Sequence, residues 1–454
     1  MVPFKSRTLG VVAALAVVAV TASTAAADTV VSLPGVDAAG PSKYDKVKVV
    51  KTGPSRAKKV LVLVPGTSAG APYFTPLAES LVDRLPGWQV WAVERRENLL
   101  EDHTLLDAAK RKQADSKSVF DYYLGWLSGG VPKHFEPKKT EDVAFARRWG
   151  MDVAIGDLRR VVRSARRGGR KVVLGGHSLG GNIAATYATW DFNGRAGARD
   201  LEGLVLIDGG SGPGTPARPT PTPAKARSEL AKLGKESPFL DLSGTGLVWT
   251  MGVLNALGST AVLQDPLSPS VGQEWPLLPA ALKPPVRVNH RAKYGYALDT
   301  QTGPESLGLV QMHLGGLADA GDPRDWKDGE LVTVERAARV FSGRIGMDGT
   351  AWYHPRRLTL DGSATNGGTP TAAQRVLGVK SIHARDADLP IYAFETKLGD
   401  GRVIRGARRL AKLGGGKLTA VDRSSTYAHM DPVAAEPETN DFIKTVVPFL
   451  RRIR

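Results

Sequence analysis

The stretch Val172–Asn182, VVLGGHSLGGN, crowds four glycines around one serine hydroxyl, that of Ser178. A β-branched apolar run precedes it, and a small-residue helical pattern, NIAATYATW (Asn182–Trp190), follows. A merely flexible turn needs glycine but not this order. A chain that bends sharply at Ser178 while neighbouring backbone passes close by needs flanks without a Cβ. Gly176-His177-Ser178-Leu179-Gly180 has the G-x-S-x-G spacing. Set between a strand and a helix, that spacing presents a nucleophilic serine. The helix start beyond Ser178 aims free N–H groups at developing negative charge.

Working outward, three further runs share the same grammar. KKVLVLVPGTSAG (Lys58–Gly70), WQVWAVERREN (Trp88–Asn98) and LEGLVLIDGG (Leu201–Gly210) each read as a strand leading into a loop. Continuous apolar runs of this kind suit strands covered on both faces. Helical spacing lies between them. YFTPLAESLVDRL (Tyr73–Leu85) is one case, and Met151–Arg167 places Val153, Ile155, Leu158, Val161 and Val162 on one face. Strand–helix alternation predicts an α/β protein with a mostly parallel sheet. It returns at the C-terminus with a strand and loop at Asp388–Gly401, a helix from Arg402, a strand at Gly416–Asp422 and a closing helix.

Residues 211–387 break the pattern, with a Pro/Gly/Thr-rich linker, SGPGTPARPTPTPAKA, and scattered tryptophans (Trp249, Trp275, Trp326, Trp352). We read 28–210 and 388–454 as one core and 211–387 as an inserted cap above the strand C-terminal ends, where open α/β sheets bind ligands. The tryptophans and SLGLVQMHLGGL offer lining for an apolar pocket or the cap's own core. The paired acids and bases of ERRENLLEDHTLLDAAKR read as a wall of the site or as a solvated helix face.

The first 27 residues read as a secretory signal peptide: Lys5 and Arg7, then an apolar Leu9–Val20, then small residues with Ala25 and Ala27 in an A-x-A pattern. The expected location is therefore secreted. The 454 residues contain no cysteine, which excludes disulfides, thiol nucleophiles and cysteine metal sites. The formal charge is +16, and removing Lys5 and Arg7 leaves 16 − 2 = +14. That balance favours an anionic surface such as a cell envelope. The basic residues are scattered and form no nucleic-acid module, so no nucleic-acid partner is expected. No H-E-x-x-H, no tight His/Asp cluster and no phosphate or dinucleotide loop appears, so spacing implies neither metal nor cofactor.

At GGHSLGG the chain resembles the α/β-hydrolase family, specifically its secreted esterases and lipases; the resemblance spans roughly residues 45–210 and 388–454. It implies a triad in the order Ser, acid, His. His429, in LTAVDRSSTYAHMDP, falls in the loop after the last strand, where the family keeps its histidine. Its role would be general base toward Ser178 and then general acid. The resemblance implies an oxyanion hole from the backbone N–H groups of Leu179 and Thr67, with Ser68 the near alternative to Thr67. For the acid three positions stay open: Asp208 is favoured, and Asp400 and Glu395 are its rivals. An Asp at 208 can equally cap a turn beside Gly209 and Gly210.

The reading is thus a serine hydrolase acting on a small-molecule or lipid ester through an acyl-enzyme. A peptidase or acyltransferase on the same triad, or a non-catalytic binding protein of the same fold, are the alternatives.

Overall fold

The computed structural model describes residues 28–210, 220–329 and 331–453. The signal-peptide stretch and most of the Pro-rich linker lie outside them. Among the described residues there are ten strands: β1 (Thr29–Pro34), β2 (Lys46–Thr52), β3 (Lys59–Val64), β4 (Trp88–Glu94), β5 (Lys171–His177), β6 (Gly203–Ile207), β7 (Gly315–Gly321), β8 (Arg324–Asp328), β9 (Ile391–Glu395) and β10 (Leu418–Asp422). Eight of them form one sheet in the order β1-β2-β4-β3-β5-β6-β9-β10, and β7 and β8 form a separate hairpin. From β4 to β10 every neighbouring pair is parallel, whereas β2 runs antiparallel to both β1 and β4. All six strands expected of the core are found. The antiparallel β1–β2 edge was not foreseen.

The helices are α1 (Thr75–Arg84), α2 (Thr104–Lys110), α3 (Ser116–Tyr123), α4 (Met151–Ala165), α5 (Leu179–Thr189), α6 (Pro223–Leu233), α7 (Thr250–Gln264), α8 (His290–Leu298), α9 (Val334–Ser342), α10 (Arg356–Ser363), α11 (Ala372–Leu377), α12 (Arg402–Gly414), α13 (Asp431–Ala434) and α14 (Asp441–Arg451). The period-2 geometry of a strand explains why the runs are apolar throughout. In β3, Leu61 and Leu63 enter a cluster with α1, α9 and α14, while Val60, Val62 and Val64 enter another with α4, α5 and α12. All five are buried. Burying each such side chain contributes roughly 1.5–3 kcal/mol.

The stretch 220–387, expected as a cap, contributes to three hydrophobic clusters rather than to one of its own. Helix α9 and Trp326 join the α1 side of the sheet, while α10 and α11 join the α4/α5 side. Helix α7, Trp249 and Trp352 pack with α2, α3 and Phe135 in the third. Trp249, Trp326 and Trp352 are buried core residues, and Trp275 is partly exposed.

The charged stretch after β4 is not a solvated face. Glu94, Arg95, Arg96 and Glu97 are all buried. Arg96 holds Asp157 of α4 through two parallel bonds, Nε to Oδ2 and Nη2 to Oδ1, both 2.8 Å, and Asp45 through Nη1 at 2.9 Å. Asp157 thus sits inside a helix face that its periodicity marks as apolar. Removing one partner of such a pair strands a buried charge. Asp157→Ala is expected to lower unfolding free energy by about 3–5 kcal/mol in urea titration, and loss of under 1 kcal/mol would contradict the pairing.

Candidate active site

Strand β5 ends at His177, and α5 begins at Leu179. The residue between, Ser178, has φ 56° and ψ −124°. A non-glycine residue at positive φ is strained, and such strain persists only where packing enforces it. Here the enforcement is close approach. A Cβ on Gly176 would lie 2.2 Å from the Gly180 carbonyl carbon, and one on Gly180 would lie 1.9 Å from the Val64 carbonyl oxygen. Helix α5 therefore seats directly on the end of β3, with Ser178 at the crest.

His429 lies between β10 and α13 and is buried. Its Nδ1 meets Asp208 Oδ2 at 2.5 Å. Asp208 follows β6 at φ 42° and accepts a second bond from the Thr396 N–H at 2.8 Å and a third from the Thr396 hydroxyl. Burial pushes the Asp208 carboxyl up, but the bonds from His429 and Thr396 and the His429 charge outweigh it and hold it below its ordinary value. Asp208 is therefore a carboxylate, and it fixes the His429 ring with Nε2 left for other work.

The two rival acids make other bonds. Glu395, at the end of β9, is buried with its oxygens on the N–H groups of Val403 and Ile404, at 3.2 and 3.1 Å. It caps the N-terminus of α12, a favourable place for negative charge. Asp400 is exposed and left-handed, with φ 51°. Neither is bonded to His429, whereas Asp208 is.

His177, the variable residue of the motif, has a position that the sequence did not signal. It is buried, with Nε2 2.8 Å from the His429 carbonyl oxygen and Nδ1 2.7 Å from the Tyr73 hydroxyl. A carbonyl only accepts, so Nε2 carries the proton and Nδ1 accepts from Tyr73. Burial, then the neighbouring His429 charge, pull its pKa down to about 3, so the ring is neutral. Its ring centroid lies 4.3 Å from that of His429, with the two planes tilted by 39°. His177 thus binds the His429 backbone to the residue that precedes Ser178.

The loop after β3 comes up against the same crest. A Cβ on Gly66 would lie 3.0 Å from Ser178 Cβ. Arg95 Nη1 donates to the carbonyls of Pro65 and Gly66, at 2.8 and 2.9 Å, while its Nε pairs with Glu97. A trans peptide points its N–H opposite its C=O. Pinning the Gly66 carbonyl on Arg95 therefore turns the Thr67 N–H away from the guanidinium. Thr67 is partly exposed, as are Ser178 and Leu179. Ser68 is buried at φ 56° with its hydroxyl on the Ala351 carbonyl. Asp431 braces the far side of His429, accepting from the Ala428 N–H at 2.6 Å and from the His313 N–H at 3.0 Å.

Spacing implied no metal, yet the fold brings Asp348 to Glu101 and His103, 245 residues from the nearer of them (348 − 103 = 245). That cluster lies outside the Ser178 constellation.

No family model matches the sequence, and no curated protein matches it either. Solved structures do. One from Sulfolobus solfataricus, assigned as a lipase, is 15% identical, covers 94% of each chain and superposes with a TM-score of 0.50. An epoxide hydrolase from Mycobacterium thermoresistibile is 14% identical over 94% of this chain and 99% of that one, with a TM-score of 0.44. An esterase from Thermogutta terrifontis is 11% identical over 94% and 99%, with a TM-score of 0.38. At 15% identity the first of these likenesses shows the fold alone, which is the α/β-hydrolase fold.

A buried neutral His177 makes a pH prediction. Its folded pKa lies below its unfolded value of 6.5, so below pH 6.5 the unfolded chain binds a proton that the folded chain refuses. Stability must fall as pH drops from 6.5 toward about 3. His177→Gln should flatten that fall by about 1.4 kcal/mol per pH unit in denaturant titrations between pH 6 and 4. It should also lower kcat more than it raises KM, because it loosens His429. An unchanged slope would remove the neutral, buried assignment.

Proposed function

We propose that this protein is a serine hydrolase that cleaves carboxylic esters through Ser178, His429 and Asp208. The observation that carries the reading is the Asp208–His429 bond set beside a left-handed Ser178 on a strand–helix elbow. Asp208 holds the imidazole with Nδ1–H toward itself, which leaves the Nε2 lone pair to take the Ser178 proton. The serine oxygen attacks the ester carbonyl, and the oxyanion forms against the Leu179 and Thr67 N–H groups. His429 then returns the proton to the leaving alcohol. Water, activated the same way, frees the acid and restores Ser178. The pinning of the Pro65 and Gly66 carbonyls by Arg95 supports Thr67 as a donor fixed before the charge arrives.

We place the acyl group in the apolar cavity between α3, α7 and α8. It has about 1020 Å³ of empty space, mouth included, and is lined by Phe120, Leu254, Trp275, Leu307 and Val310 among others. Val310 adjoins Gln311, whose carbonyl accepts the Met430 N–H at 3.2 Å, one residue from His429. We also propose that residues 1–27 direct export, on the sequence pattern alone, and that the basic surface associates with anionic envelope polymers.

A fluorophosphonate probe tests the chemistry. Wild type should label, and Ser178→Ala should not; equal labelling of both, or none of wild type, would end the hydrolase reading. Hydrolysis of esters of graded acyl length, beside peptide anilides, separates esterase from peptidase. Leu254→Trp tests the cavity. It should lower kcat/KM for long acyl chains by roughly tenfold or more while sparing short ones. An equal loss for both would show that the cavity does not hold the acyl chain.

A further inference from the structure

Residues 348–351 run beside the loop after β3. The Gly70 N–H donates to the Gly349 carbonyl at 3.0 Å, Ser68 Oγ to the Ala351 carbonyl at 3.0 Å, and Ala69 pairs with Thr350 as an antiparallel bridge. At this seam two side chains that are close in sequence meet a third from far along the chain. Glu101 follows β4, His103 precedes α2, and Asp348 lies in the segment after α9. One ligand-type atom from each lies within 4.8 Å of the others. His103 Nε2 is 3.0 Å from Glu101 Oε2 and 3.5 Å from Asp348 Oδ2. Four N/O donors bound at 2.0–2.2 Å around a tetrahedral ion stand roughly 3.4 Å apart. The two observed spacings bracket that edge.

A second observation concerns what these groups lack. The Asp348 and Glu101 side chains are fully buried, and that of His103 is 12% exposed. Asp348 Oδ2 nevertheless makes no hydrogen bond among the described residues. Its other oxygen is taken by Lys110 Nζ at 2.8 Å. Nearby, Asn98 Oδ1 and Thr350 Oγ1 are also buried without partners. Buried polar atoms are satisfied in the great majority of cases, and an exception asks for a ligand or a reason.

We propose that Glu101 Oε2, His103 Nε2 and Asp348 Oδ2 bind one divalent transition-metal ion of the zinc type, with water as fourth ligand. An imidazole beside two carboxylates suits zinc, whereas calcium and magnesium take all-oxygen sets. Binding needs the Nε2 lone pair, so the ring proton sits on Nδ1, and any proton shared among His103 and the two carboxylates is released to solvent. The ion ties the segment after β4 to the segment that braces the loop carrying Thr67. This inference does not depend on the ester-hydrolase reading.

The test uses the full protein, stripped with a chelator and titrated with zinc chloride alone. One zinc per chain should bind, with proton release. The melting midpoint should rise about 3 °C at a hundredfold excess over the dissociation constant. Cobalt(II) in its place should give the strong visible absorption of a tetrahedral site. His103→Gln and Asp348→Asn should each weaken zinc binding at least tenfold and abolish the midpoint shift. Failure of wild type to bind zinc, or unchanged binding in both variants, would overturn the site. If neither variant folds, the cobalt spectrum of wild type decides: weak octahedral bands, or none, would overturn it. Every readout is one of binding, so loss of the esterase reading would leave the result standing.

Discussion

The left-handed backbone at Ser178 is the constraint on which the rest of the molecule turns. Holding a serine there costs on the order of 1–3 kcal/mol, and it persists only where the surroundings over-determine it. Three neighbours do so. Helix α5 approaches the end of β3 so closely that Gly180 has no room for a methyl group. The Ser178 N–H donates to the Ile207 carbonyl of β6 at 2.9 Å. Gly209, just after Asp208, passes so near that a Cβ there would lie 1.8 Å from the Ser178 carbonyl oxygen. The strain therefore registers β3, β5 and β6 at their C-terminal ends, and that register carries Asp208 to its position.

How much of this was legible follows from how local each signal is. The elbow is written in eleven consecutive residues, and His429 sits in a loop that chain order marks. The acid was only partly legible: Asp208 was favoured, but Glu395 closes β9, and Asp208 and Asp400 both lie in loops that follow strands. What separates them is tertiary: Glu395 is drawn to the free N–H groups of α12, whereas Thr396 turns two donors onto Asp208. His177 and Tyr73 were hidden for the same reason. Nothing in sequence ties a residue 104 positions away to the variable position of a motif. The β1–β2 edge escaped because β2, KVKVVKT, alternates lysine with valine instead of running apolar throughout like the core strands.

Charge patterning misled most where it mattered. Blocks such as ERRENLLED look like a solvated helix face, since buried ions are rare without partners. Here the partners are close but not adjacent in sequence. Arg95 finds Glu97 and two carbonyls, and Arg96 finds Asp157 and Asp45. Buried pairs of this kind are weak evidence for stability, because desolvation offsets much of the attraction. Their geometry argues for a different use. Arg95 touches the loop that bears Thr67, and Arg96 joins β4 to α4, which packs beneath α5.

The inserted stretch fits the same logic. A cap with its own core could rock as a body, but this one divides its apolar residues among three clusters shared with the sheet. Its segment at 349–351 forms backbone bonds with the loop after β3, and its residues 311–313 bond to the loop that carries His429. The loop after β3 and the loop that carries His429 are thus both braced from this stretch. On the proposed reading, that bracing would hold the Thr67 N–H in place before charge develops. A substitution at Gly70, where a Cβ would lie 2.2 Å from the Asp348 carbonyl oxygen, would act on the donor loop without touching the serine.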